Sequence, residues 1–80
     1  MTYEEMLTAI KSKECTPELI EALIDFEDDF DPYGVRDYFG DISKKTNRAK
    51  LRKEVKYVLK NDPQVYVEQL EEEILWRENK

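Results

Sequence analysis

The chain predicts an all-α fold, a compact small bundle of about four helices plus one short helical turn, with residues 1–80 forming a single acidic domain. Three observations carry this expectation. Apolar residues recur at spacings of three and four, the repeat of a helix face. Helix-start signals (a capping box, Thr-Pro, Asp-Pro) precede most of these stretches. Only two glycines and three prolines occur, and no strand-like alternation runs over a useful length.

The elements follow in order. Thr2 and Glu5 have the spacing of a capping box, in which each side chain accepts the other residue's amide. Tyr3, Met6, Leu7 and Ile10 then keep helical spacing, so a first helix is predicted from about residue 3 to about residue 12. Thr16 is a good N-cap, and Pro17 suits the first helical position because its missing N–H would have been unpaired there. Leu19, Leu23, Phe26 and Phe30 make the core stripe of a second helix, with Ile20 and Ile24 beside them. This helix reaches into DFEDDFDPYG (25–34), which places Phe26 and Phe30 in the core and turns the intervening acids outward. Asp31-Pro32 reads as the cap of a short helical turn through Val35–Phe39, closed by Gly40. DISKKT (41–46) reads as a connection, and Thr46 as the cap of a helix NRAKLRKEVKYVLK with a Leu51, Val55, Val58 and Leu59 stripe. Asn61 ends it. Asp62-Pro63 opens the last helix, where Val67, Leu70 and Ile74 face the core while Val65 and Trp76 point nearly the opposite way.

Eighty residues bury a modest core, worth a net stability of about 3–5 kcal/mol. Charged residues are 40% of the chain, against about a quarter in an ordinary domain. Their distribution is segmented. Residues 1–40 carry net −8, residues 41–60 net +6 and residues 61–80 net −4. No apolar run is long enough to span a membrane, and MTYEEMLTAI has acids where a signal peptide needs positive charge. A cytoplasmic location with no membrane partner is the expectation, and the lone Cys15, which cannot form an internal disulfide, fits it.

The composition argues against an enzyme. There is no histidine, so Cys15, Ser12 and Ser43 have no imidazole base to activate them. A Cys/His zinc site is excluded by count, and the two glycines, Gly34 and Gly40, do not make a phosphate loop. No cofactor and no metal are expected. The acidic stretch approaches a calcium loop: with Asp29 first, Asp31 stands third, Gly34 sixth and Asp37 ninth. It fails at the fifth position, Tyr33, and at the twelfth, Gly40, which has no side chain to chelate with.

Two surfaces remain as candidates. Glu18, Glu21, Asp25 and Asp28 form a stripe on the second helix, extended by Asp29 and Asp31. Asp28 and Asp29 fall at the C-terminal end of that helix, where negative charge opposes the helix dipole. On the fourth helix Arg48, Arg52, Lys53, Lys56 and Lys60 make a basic face suited to phosphates. Flanking acidic segments and a pI near 4.7 oppose that use. No stretch carries the motif of a known family. The reading is therefore a small non-enzymatic acidic binding protein that inhibits or regulates a larger host or cognate protein by occupying one of its sites, a nucleic-acid-binding site being one candidate. Its contacts are Glu21, Asp25, Asp28, Asp29, Asp31 and Trp76, and phage and mobile-element proteins offer a compositional analogy. The alternatives are a nucleic-acid-binding module that uses the basic helix 44–60 and an oligomeric accessory protein joined through Val65 and Trp76.

Overall fold

The computed structural model describes residues 1–78, and among these all regular structure is helical: α1 (Tyr3–Lys11), α2 (Pro17–Phe30), α3 (Pro32–Phe39), α4 (Lys45–Asn61) and α5 (Gln64–Glu78). α1 packs mainly on α5, α2 lies along α4, and the short α3 closes the gap against both α2 and α4.

Local chemistry sets most helix starts. The Thr2 hydroxyl accepts the Glu5 amide at 3.0 Å, and Glu5 Oε1 accepts the Thr2 amide at 2.8 Å. These hydrogen bonds pull the Glu5 carboxyl below its ordinary range. Thr16 Oγ1 accepts the Leu19 amide at 3.1 Å, with Pro17 at the first helical position. Asp31 serves two helices. Its amide donates to the Glu27 carbonyl at 2.9 Å to finish α2, and its carboxylate accepts the Gly34 amide at 3.0 Å to start α3.

One boundary, the start of α4, departs from expectation, whereas Asp31 and Gly40 bound α3 and α1 ends at Lys11 much as the sequence placed them. The turn after Asp31 is a full helix of eight residues. α4 begins at Lys45, so Thr46 lies inside its first turn and caps nothing. The reason is the preceding loop. Asp41 Oδ1 accepts the Ser43 amide and the Asp41 carbonyl accepts the Lys44 amide, so the chain has already turned into the helix direction by Lys44. The end of α1 shows no stop signal in sequence, yet Lys13 adopts a left-handed conformation at φ 59°. The Lys13 amide donates to the Ile10 carbonyl and the Glu14 amide to the Ala9 carbonyl, the paired bonds of a Schellman motif that usually recruits glycine.

The core draws on every helix. Leu19, Leu23, Ile24, Val55 and Leu70 lose essentially all contact with solvent, with Met6, Ala9, Ile10, Ile20, Phe26, Val35, Leu51, Tyr66 and Val67 around them. Each such aliphatic side chain contributes about 1.5–3 kcal/mol of transfer free energy. Tyr3 meets Phe26 edge-on at 5.1 Å between ring centroids, and the Arg77 guanidinium sits 4.0 Å above the Tyr3 ring. Phe30, placed in the core by its spacing, is instead 37% exposed. It ends α2, where Asp31 and Pro32 swing the chain away, and its ring tilts against Phe26 at 5.6 Å rather than entering the interior. Ile74 is only half-buried, and Tyr66 takes an interior place that apolar spacing alone did not assign.

Candidate functional site

The packing of α2 along α4 divides the acidic stripe. Arg52 grips Glu21 with two donors, Nε at 2.7 Å and a terminal nitrogen at 3.0 Å. Arg48 bridges the same carboxylate at 3.3 Å and Asp25 at 3.1 Å. The paired geometry matches the planar guanidinium to the carboxylate. The Glu21 carboxyl is held down at about 2, chiefly by the Arg52 hydrogen bond and, against the opposing effect of burial, by Arg48. Glu21, Asp25, Arg48 and Arg52 thus satisfy one another within the fold, although sequence placed the acids and the bases on rival surfaces.

Asp28 and Asp29 differ. Among the described residues neither carboxylate takes part in a hydrogen bond or ion pair, and the last turn of α2 holds no basic residue. Both sit where the helix carbonyls point, the negative end of the dipole. Asp31 follows with its carboxylate committed to the α3 cap. Exposed aromatic residues follow these acids along the chain: Phe30 at the end of α2, and Tyr33 and Tyr38 of α3, 80% and 84% exposed. The DFEDDFDPYG stretch forms a helix–cap–helix corner. No group of three or more His, Cys, Asp or Glu among the described residues could hold a metal ion.

Lys53, Lys56 and Lys60 are exposed along α4. Arg48 and Arg52 turn toward α2, so a phosphate strand laid on this helix meets lysines and reaches the arginines only by displacing Glu21. Lys56 and Lys60, with Lys13, rim a groove of about 860 Å³ floored by Ile10, Ile20 and Leu59. On α5, Val65 and Trp76 are 37% and 61% exposed, on the side away from Val67 and Leu70, and Leu75 joins them. None of the helices among the described residues is long and apolar enough to cross a membrane.

One cluster was missed by sequence reasoning. Glu27 is half-buried between α2 and the neighbouring helices, and burial, with Asp31 adding repulsion, lifts its carboxyl to about 6. Burial pushes the Tyr66 hydroxyl up as well, helped by Glu27 and Glu54. In sequence Glu27 is one acid among five between Asp25 and Asp31, and only the approach of α5 separates it from the rest.

Comparison of the chain with protein-family models, with curated proteins and with solved structures returns no match. The site chemistry alone therefore carries the functional argument.

Proposed function

We propose that the protein is a non-enzymatic binding protein that inhibits or regulates a larger protein by presenting the acidic, aromatic corner of α2 and α3 to a cation-lined site. The observation that carries this reading is the contrast within one stripe. Glu21 and Asp25 pair with arginines, whereas Asp28 and Asp29 make no ion pair among the described residues and sit at the helix end that repels them. Stability alone gives no reason to keep two acids there. Exposed Phe30, Tyr33 and Tyr38 add the apolar and aromatic area in which binding energy concentrates. The lack of any histidine, the usual acid–base side chain near neutral pH, supports a non-enzymatic role.

The test is the double variant Asp28→Asn/Asp29→Asn. Once a partner is captured from cell lysate, the variant is expected to associate more slowly, with a deficit that shrinks as salt is raised. Its melting temperature is expected to be no lower than that of the parent. A variant that melts lower while binding normally assigns these acids to the fold and ends this reading.

A further inference from the structure

The cavity of about 220 Å³ where α2, α3, α4 and α5 converge has an unusual polar inventory. No lysine or arginine lines it. Half-buried Glu27 lines it from α2 and exposed Glu54 from α4. Among the described residues the Glu27 carboxylate takes part in no hydrogen bond or ion pair. Gln69 Oε1, from α5, is fully buried and has no hydrogen-bond partner. Tyr66 is 4% exposed, and its hydroxyl makes no hydrogen bond among the described residues. Buried polar groups are normally paired, so the unpaired Gln69 Oε1 stands out, and the Glu27 carboxylate has no cation among the residues that line the cavity. Arg48 and Arg52 pair with α2 and Arg77 sits over Tyr3, so none of these arginines serves the cavity.

The geometry points to a socket for the guanidinium of an arginine side chain carried by a partner protein. The inference rests on the proposed binding role and names the anchor that the partner supplies. A guanidinium is all donor and no acceptor, which complements a lining that offers the Glu27 and Glu54 carboxylates and no cation. It is planar and weakly hydrated, so it enters an aromatic-walled cavity more readily than a lysine ammonium does. Tyr38, Phe39 and Tyr66 supply those walls. A bare metal ion fits poorly, because no cluster of three or more ligating side chains exists among the described residues. The Glu27 carboxyl at about 6 agrees with the geometry: it marks a carboxylate that lacks a counter-charge and is ionised at neutral pH to meet one. The socket also adjoins the proposed contact surface, since Asp31 and the exposed Tyr38 border it.

The experiment is an amide NMR titration of the intact chain with three blocked glycine-flanked peptides, which carry a central arginine, citrulline or lysine. The arginine peptide is expected to bind at about millimolar strength and to shift signals at Glu27, Tyr66 and Gln69. The citrulline and lysine peptides should bind about tenfold more weakly or not at all. Affinity should rise between pH of about 5 and about 7 as Glu27 ionises. Glu27→Gln should remove this pH dependence and weaken arginine binding about tenfold, with Glu68→Gln, outside the cavity, as the unchanged control. A melting curve for each variant shows that it is folded. Equal binding of arginine and citrulline, equal binding of arginine and lysine, or shifts confined to other surfaces overturns the socket. If the arginine peptide fails while partner capture still depends on Asp28 and Asp29, the socket falls and the acidic corner stands. If the peptide binds as described and capture ignores those acids, the socket survives and the corner falls.

Discussion

Replacing Glu21 by Gln tests whether the α2–α4 ion network stabilises the fold. The folded state holds this carboxyl at about 2, below its ordinary 4.5. Its contribution is therefore fully present above about 4.5 and is lost as pH falls toward 2. Taken at face value the displacement amounts to about 3 kcal/mol, at about 1.4 kcal/mol per pH unit. The Glu21 side chain is 40% exposed, however, and water screens much of that. Arg48 and Arg52, 28% and 36% exposed, would regain water rather than be stranded as buried charges. Together these considerations leave about 1 kcal/mol, somewhat above an isolated surface pair because Arg52 binds with two donors. For a domain of this size that lowers the melting temperature by about 4–8 °C. Circular dichroism melts of parent and Glu21→Gln should differ by that amount near neutral pH. They should converge near pH of about 2 and differ less in molar salt. Glu68→Gln, an exposed acid on α5, should change little. An unchanged melting temperature near neutral pH, or a gap of equal size in acid, would refute the argument, since neither fits a charge-dependent network.

Three further outcomes follow from the same geometry. Leu23→Ala and Val55→Ala each delete a side chain with no solvent contact and should cost about 2–4 kcal/mol in urea unfolding, most of the expected stability. Glu27→Gln should raise the melting temperature near neutral pH: a carboxyl lifted from 4.5 to about 6 costs stability above about 6, and that cost disappears as pH falls below 4.5, so the gain should vanish in acid. Lys13→Gly should stabilise by up to about 1 kcal/mol, because a left-handed Schellman position penalises a side chain and favours glycine; a loss in the thermal melt would show that the lysine side chain contributes more than its backbone conformation costs.

Much of the fold was legible in the chain because its signals are local. Thr2–Glu5, Thr16–Pro17 and Asp31–Pro32 each decide a helix start through contacts within three residues, and the stripes Leu19–Leu23–Phe26 and Leu51–Val55 name the buried faces. The outward direction of Val65 and Trp76 followed from helical arithmetic as well. Less was legible where a boundary depended on loop geometry. The start of α4 is set by the Asp41 turn rather than by Thr46, and Lys13, just past α1, takes a conformation that its residue type does not advertise.

The candidate site divides along the same line. Sequence by itself determined that acids crowd the end of α2, that bases crowd α4 and that aromatic residues interrupt the acidic corner. Only the tertiary structure decided which of these charges answer one another. Arg48 and Arg52 meet Glu21 across 27 and 31 residues of chain, because the apolar stripes of α2 and α4 must bury each other and bring their flanking charges within reach. The same docking leaves Asp28 and Asp29 one turn beyond the arginines, and the approach of α5 isolates Glu27 with Tyr66 and Gln69 in a cavity without a cation. Composition and periodicity report what a residue is and which way its helix turns it. Whether a charge is compensated depends on what another helix brings within a few ångströms, and that is a property of packing.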